Sequence, residues 1–373
     1  MREVLVYTEC WGVGGIERSV VNLIGALGGD RYSFHVFSTW GSKNFLSEKL
    51  ECAGADQEIL FEGGDPGLAR RRIKSGRAVC RALSAGSFDV IHVNAMNGME
   101  LQPLKLAADN GVPVRIAHAH NSSFGPGARA AKTLMHDLGK KVFLPYATRA
   151  AACSEASARY LFGERDCIFL PNGIDADAFR FSRESRDRIR NRLGIPQDRP
   201  VLGSIGRCSA AKNPLFQIDI FSEFLKLCPD AIYLMVGSGE LDSQVSAYAE
   251  EKGLGRSFIK LPAVPDAGDY YSALDLFLLP SLYEGLPYSV VEAQCSGLGV
   301  LAGDCLTRQC VFTPWVKTLP VTHSSEEWAR EARAILGSRE RGGGREEGYR
   351  AVERSPFSLC VYREKISELY EGR

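Results

Sequence analysis

Apolar runs of strand length alternate with amphipathic helical stretches along most of the chain, the pattern of parallel α/β architecture. In the first half, Val4–Tyr7, Ser33–Phe37, Val90–Val93, Val114–Ala117 and Ala150–Cys153 predict strands. Ile16–Leu27 and Ser47–Gly54 predict helices in the intervals. Near Asn172 the pattern changes: NGIDADAF is turn-rich, and the charged FSRESRDRIRNRLGIPQDRP follows. A second series of strands then begins at Val201 with VLGSIG and continues through AIYLMVG, SFIKLPAV and DLFLLPS.

Two series of this kind predict two Rossmann-like domains joined near residues 175–198. The first spans 1–180 and is completed by a C-terminal helix within 356–373; the second spans 181–355. That helix is amphipathic through Leu359, Tyr362, Ile366 and Leu369. The charged, glycine-rich Ser338–Glu347, with Gly342, Gly343 and Gly344, predicts a surface loop. No fixed repeat of solenoid length is present.

Composition adds exclusions. Of 373 residues, 45% are apolar and 24% charged, an ordinary globular mixture with ample core. Lys plus Arg balance Asp plus Glu at 45 each, which removes any global electrostatic case for nucleic acid. Local clusters remain: Arg70, Arg71, Arg72, Lys74 and Arg77, and a looser set at Lys132, Lys140 and Lys141. They read either as solvated helix faces or as docking points for an anionic membrane surface. The 11 cysteines are scattered without a C-x-x-C pair, as in a reduced compartment. The N-terminal MREVLVYTEC opens on a strand rather than a signal peptide, and no apolar run approaches a membrane span. The expected location is cytoplasmic, with any membrane contact peripheral.

The densest chemistry lies in LPSLYEGLPYSVVEAQCSGLGVLAGD, where seven residues separate Glu284 from Glu292. Leu276–Leu279 reads as a buried parallel strand, and a helix is expected to begin near Pro287. A strand end, a tight turn punctuated by Gly285 and Pro287, and a helix N-terminus make an anion site from free amides and the helix dipole. Carboxylates flanking such a site repel phosphate, but they suit hydroxyls on a ribose and a sugar, so the pattern points to a sugar nucleotide. Arg207 and Lys212 in SIGRCSAAKNP follow another strand and can clamp a diphosphate, or can be plain loop charges. Gly12, Gly14 and Gly15 open the first helix, and Gly237 and Gly239 form a second glycine turn; both types also occur for structural reasons alone. His118 and His120 share a face at a strand end, where one could enter a cleft or both could be satisfied structurally. All these groups fall at predicted C-terminal strand ends in both domains, which places the expected site in an interdomain cleft.

GGIERSVVNL, HAHNSS, ACSEASARYLFG, LPNGIDADAF, GRCSAAKNPLFQIDIF, GSGEL and ALDLFLLPSLYEGLPYSVVEAQCSGL stand in the order and spacing of the retaining glycosyltransferases of family 4. The chain resembles that family, and in particular its bacterial capsular and exopolysaccharide branch, from about residue 7 to 305. The resemblance implies a GT-B fold with a C-terminal helix crossing back to the first domain. It implies that Arg207 and Lys212 neutralise the donor diphosphate, Glu292 holds the ribose, and Glu284 holds the donor sugar. Backbone at Gly285, Leu286, Gly237 and Gly239 would face the donor, and Gly14 and Gly15 the donor phosphates or acceptor. His120 would lie near the reacting sugar. No metal or other cofactor is implied, and the leaving diphosphate would deprotonate the acceptor. The implied partners are a nucleotide-sugar donor, most simply a UDP-sugar, and a saccharide or lipid-linked acceptor for a surface polysaccharide. Gln309 stands where related sequences often have an acid. Two alternatives remain: a degenerate GT-B subunit that binds without catalysis, and a GT-B nucleotide-sugar epimerase.

Overall fold

The computed structural model describes residues 1–29, 31–122, 129–341 and 344–371. It divides into unit 1, Met1–Ile174 with Leu359–Arg373, and unit 2, Asp175–Ser358.

Unit 1 is built on seven strands: β1 (Arg2–Trp11), β2 (Tyr32–Gly41), β3 (Asp56–Glu62), β4 (Val90–Ala95), β5 (Val114–Ala119), β6 (Arg149–Ala152) and β7 (Ile168–Phe169). All pair in parallel, in the order β3-β2-β1-β4-β5-β6-β7. The helices are α1 (Gly15–Leu27), α2 (Phe45–Cys52), α3 (Leu68–Ala85), α4 (Gln102–Asp109), α5 (Arg129–Phe143) and α6 (Glu155–Phe162). The central strands are buried on both faces, which explains their unbroken apolar runs; β4 is buried at every position.

Unit 2 holds α7 (Ala176–Phe179), α8 (Arg183–Leu193), β8 (Val201–Ile205), α9 (Pro214–Leu227), β9 (Ile232–Val236), α10 (Asp242–Glu251), β10 (Phe258–Leu261), α11 (Gly268–Ala273), β11 (Leu276–Leu279), α12 (Tyr288–Cys295), β12 (Gly299–Gly303), β13 (Val316–Leu319), α13 (Ser325–Arg341) and α14 (Glu346–Glu353). Its six-stranded sheet is also wholly parallel, ordered β10-β9-β8-β11-β12-β13. A last helix, α15 (Leu359–Glu371), belongs to unit 1. Its Tyr362, Ile366, Leu369 and Tyr370 join the core formed by Val20, Leu23 and Ile24 of α1 with Val4 and Val6 of β1. The two parallel sheets and this helix are the expected GT-B architecture.

Some expectations need correction. The presumed joining segment at 175–198 is largely helical and part of unit 2. Arg186 and Arg190 of α8 reach Asp275 at 2.8 and 2.7 Å, and the Val201 amide donates to the same carboxylate at 2.8 Å. Arg190 is fully buried, so a charge-rich segment conceals a structural anchor. Residues 338–341 belong to α13 and 346–347 to α14, because Arg and Glu extend helices as readily as they solvate loops. Gly342 and Gly343, and residues 124–128 of the loop expected at 124–132, lie outside the described residues; 129–132 open α5. The final helix starts at Leu359 rather than 356.

In each sheet the strand order reverses once, between β1 and β4 and between β8 and β11. The crevice beyond the carboxyl ends of such a pair is where open α/β sheets bind ligands.

Candidate functional site

At the unit 2 reversal, β8 runs into Gly206, Arg207 and a short turn at Ala210–Lys212. The turn is closed by Asn213 in the left-handed region (φ 52°) and by Pro214 at the first position of α9. Buried Gln217 holds this loop down: it donates to the Lys212 carbonyl at 2.8 Å and accepts from the Ser204 and Tyr233 hydroxyls. The loop after β11 is tied to it by Leu282 N–H donating to the Ala211 carbonyl at 2.9 Å. These ties bring together two side chains 72 residues apart in sequence, Lys212 Nζ and Glu284 Oε1, at 2.6 Å. The Ser281 hydroxyl donates to the same Glu284 oxygen at 2.5 Å.

This pairing modifies the division of cations for diphosphate and carboxylates for hydroxyls. The half-buried Lys212 ammonium is already paired with a carboxylate, so cation and carboxylate stand as one joined pair rather than as two separate groups. Arg207 is exposed and, among the described residues, has no ion-pair or side-chain hydrogen-bond partner.

Gly285 is exposed, Leu286 is half-buried, and Pro287 caps α12 without a side-chain hydrogen bond. The first-turn amides of α12 therefore lack the usual side-chain cap. On the same helix, Glu292 Oε2 accepts from the Tyr271 hydroxyl at 2.7 Å. Tyr271 is buried against Phe179 and Phe277. Sequence reasoning missed it, and missed Ser281, because one tyrosine in the short helix α11 and one serine just past β11 give no periodic or spacing signal. Gly237 and Gly239 are required by backbone packing: a Cβ on each would stand 1.8 Å from the Gly206 carbonyl and 2.1 Å from that of Cys208. Gln309 sits in a short turn at Arg308–Cys310, beside a loop held by buried Gln294, which donates to Cys310 O and accepts from the Phe312 and Thr313 amides.

The unit 1 reversal has different chemistry. After β1, the Gly12 amide donates to Glu17 Oε1 at 2.9 Å, and a Cβ on Gly14 would lie 2.6 Å from Glu17 Oε2. The buried Glu17 carboxylate thus occupies the N-terminal turn of α1, where an external anion would otherwise be favoured. Gly15 borders open space.

At the ends of β4 and β5, a chain of hydrogen bonds fixes the histidine tautomers. The Leu170 carbonyl can only accept, so His118 Nε2, at 3.1 Å, carries a proton. Burial lowers the His118 pKa to about 4, so the ring is neutral and Nδ1 accepts from His92 Nε2 at 3.0 Å. Burial likewise holds His92 well below its usual range, so its Nδ1 accepts from the Tyr370 hydroxyl of α15 at 2.9 Å. A parallel deduction fixes His120. Asn94 Nδ2 donates to the Tyr7 carbonyl, so Asn94 Oδ1 faces His120 Nε2 at 2.8 Å and accepts its proton. Burial, then the neighbouring His118 and His92, keep His120 neutral, which leaves Nδ1 as an acceptor. Its ring lies 4.1 Å from that of His118. A group that meets His120 Nδ1 must therefore donate, as a hydroxyl does and a phosphate does not.

Nearby is an acid network the sequence did not announce. Tyr7 donates to Glu9 at 2.6 Å, and Arg71 pairs with Glu9 at 2.8 Å and with Asp65 at 3.0 Å. Buried Glu100 accepts from the Met96 amide and the Asn97 side chain, and burial together with Glu9 raises its pKa to about 7.

Comparison with known proteins adds the family. Residues 13–178 match the sequence model described as Glycosyltransferase Family 4, and residues 185–343 match Glycosyl transferases group 1. The putative glycosyltransferase EpsF of Bacillus subtilis (strain 168) is 29% identical over 345 residues, covering 88% of this chain and 87% of its own length. The Escherichia coli UDP-Gal:alpha-D-GlcNAc-diphosphoundecaprenol alpha-1,3-galactosyltransferase is 25% identical over 64% of each chain. Among solved structures, Anabaena Alr3699/HepE in complex with UDP and glucose aligns over 100% of both chains, with a TM-score of 0.78 and 17% identity, a likeness of fold.

Proposed function

We propose, from the premise that this chain is a GT-B glycosyltransferase, that it transfers a hexosyl group with retention from a UDP-sugar to a saccharide or lipid-linked acceptor in surface polysaccharide synthesis. The observation that carries this reading is the joined Lys212–Glu284 pair beside unpaired Arg207 at the unit 2 reversal. Arg207 and Lys212 neutralise the diphosphate as the sugar–phosphate bond breaks, so they act where negative charge develops. Once phosphate takes Lys212, Glu284 remains held by Ser281 and accepts from donor-sugar hydroxyls. Glu292, steadied by Tyr271, accepts from the ribose, and the amides around Gly285 and Leu286 meet phosphate or sugar. Gly237 and Gly239 let the neighbouring loop approach the nucleotide, and Gly14 and Gly15 do the same for the first unit's ligand.

His120, held neutral, accepts from a sugar hydroxyl. The leaving diphosphate takes the acceptor's proton on the same face of the sugar, so charge neutralisation falls to side chains and no metal or cofactor is assigned a step. The names of the relatives support a UDP-sugar donor and a lipid-linked acceptor, since one is a UDP-galactose enzyme acting on a diphosphoundecaprenol. The work would take place on the cytoplasmic side, at the inner membrane face. A thermal-shift screen of sugar nucleotides tests the reading. UDP-sugars should raise Tm by mass action, more than GDP-sugars do. No shift with any nucleotide would leave a binding subunit without donor chemistry.

A further inference from the structure

The glycine turn before α1 has the form of a phosphate loop, yet its glycines answer to the protein's own carboxylate. The Gly12 amide donates to Glu17 Oε1, and a Cβ on Gly12 would stand 3.6 Å from that oxygen. A Cβ on Gly14 would stand 2.6 Å from Glu17 Oε2, closer than the two atoms can approach. Neighbouring groups hold the turn in place: Asn172 Nδ2 donates to the Gly15 carbonyl at 3.2 Å, and the Arg18 amide to that of Gly14 at 3.2 Å. Glu17 is 8% exposed. Its Oε1 is committed to Gly12, whereas among the described residues its Oε2 accepts from no group and is not enclosed. One oxygen of a buried carboxylate is thus left with acceptor capacity at the turn.

The surroundings have the same character. Burial, and then the carboxylates of Glu17, Glu9, Asp65 and Glu100, push the Cys10 thiol up to about 11, so the field at the end of β1 is negative. The arginines close to those acids are taken: Arg71 by Glu9 and Asp65, and Arg72 by the Met99 carbonyl at 2.5 Å. Arg18 follows Glu17 about 100° round α1, so the two side chains do not face each other. At the end of β5, two strand spacings or about 10 Å from the end of β1, His120 offers a second acceptor in Nδ1. Val13 on the turn and Met96 just past the intervening β4 are 42 and 45% exposed, which adds apolar surface. Acceptors at both ends and aliphatic surface beside them suit a sugar ring, which donates from its hydroxyls and packs through its C–H faces.

We infer that Glu17 makes the unit 1 crevice selective against anions: it takes the hydroxyls of a neutral saccharide ring and turns phosphate away. The N-terminus of α1 favours negative charge, and the Glu17 carboxylate already supplies it. A phosphate arriving there meets repulsion where an unfilled turn would attract it. A hydroxyl instead donates to Glu17 Oε2, and another donates to His120 Nδ1. The inference deepens the proposed function and rests on it only for the reading of that ring as the acceptor's. The ring of the acceptor, rather than its carrier phosphate or the donor diphosphate, then meets the turn at Gly14 and Gly15.

The test follows the backbone amide NMR signals of Gly12, Gly14 and Gly15 in the full chain. The probes are inorganic phosphate, then glucose, galactose and N-acetylglucosamine, then the 6-phosphates of these sugars. In the wild type at least one neutral sugar should move the signals, inorganic phosphate up to about 50 mM should not, and the matching 6-phosphate should bind at least about tenfold more weakly than its parent. Glu17→Gln keeps an oxygen for the Gly12 amide and turns the other terminal atom into a donor. The variant should bind inorganic phosphate at least about tenfold more tightly than wild type. Its affinity for the neutral sugar should fall about tenfold, the scale of one hydroxyl–carboxylate bond. A role in folding alone would lower Tm without reversing that preference. Wild-type glycine signals that follow inorganic phosphate would overturn the inference, and that measurement needs no variant to fold. Neutral sugars that leave all three signals still would overturn it too, as would a folded Glu17→Gln protein with the wild-type preference. Absence of any UDP-sugar effect on Tm would remove the donor reading and leave the preference for sugar over phosphate standing.

Discussion

The two units turn the same corner with opposite chemistry. Each is a doubly wound parallel sheet whose strand order reverses once, and each gathers polar side chains at that reversal. In unit 2 the groups are formal charges near solvent: exposed Arg207 and the half-buried Lys212–Glu284 pair. In unit 1 they are rings and carboxyls whose charges burial suppresses: neutral His92, His118 and His120, with Glu100 shifted to about 7. Even the helix N-terminus at the unit 1 reversal is filled by the chain's own Glu17. The fold supplies the location, and desolvation decides what that location can bind. A charged diphosphate suits the first arrangement, and hydroxyl-bearing partners suit the second.

The largest effect should come from removing charge in unit 2. Lys212→Ala is expected to lower sugar transfer by about a hundredfold to a thousandfold, the usual consequence of losing one group aimed at developing charge. His120→Ala should cost about tenfold, the scale of one neutral hydrogen bond. Donor consumption assays would break the comparison if the two variants fell equally, or if Lys212→Ala turned over like wild type.

Acid should separate the units next. A histidine whose folded pKa lies below its unfolded value of about 6.5 binds fewer protons when folded, so its contribution is present above that pH and lost as pH falls toward the folded value. For His118, lowered to about 4, the loss between those limits is about 3 kcal/mol. His92, His120 and His136 act in the same direction. Glu100 opposes them, since a raised carboxyl is most favourable at low pH and loses its contribution as pH rises from about 4.5 to about 7. Four rings against one carboxyl leave unit 1 sensitive as pH falls below about 6.5, whereas the lowered carboxyls of unit 2, Asp242, Asp269 and Glu327, lose their contribution only at about pH 4 and below. Hydrogen exchange at pH 5 and 7.5 should show β4 and β5 losing protection before β8 and β11. Simultaneous loss would contradict the contrast.

The smallest expected effect refines the unit 2 half. Tyr271→Phe deletes one hydrogen bond to Glu292 and should raise the donor KM about tenfold with kcat nearly kept, on the order of 1.5 kcal/mol for a bond to a carboxylate. A fall in kcat with unchanged KM would mean that Glu292 works on the reaction rather than on the ribose.

Much of this organisation was legible from local pattern. The buried strand Leu276–Leu279, the helix start at Pro287 and the glycine turns after β1 and β9 all follow from runs and punctuation a few residues long. What escaped depends on partners distant in sequence. β3 (DQEILFE) is a half-exposed edge strand with charges at alternating positions, and β7 has two residues. β12 (GVLAG) is too small and glycine-rich to announce itself, and becomes a strand by pairing with β11 and β13. Arg190 reads as surface charge until Asp275 appears beside it. Likewise, no spacing rule joins Lys212 to Glu284, or Asn94 to His120. Local chemistry therefore nominated the candidate residues, and topology decided which of them are neighbours.

The placement of α15 has a consequence for synthesis. Tyr362, Ile366, Leu369 and Tyr370 complete a core whose other members lie before residue 175, so the ribosome must make all of unit 2 before unit 1 can close. At typical elongation rates that interval is roughly 10–40 s. During it, Val20, Leu23 and Ile24 lack their covering helix, so the earliest-made half of the protein waits for α15 to complete its core.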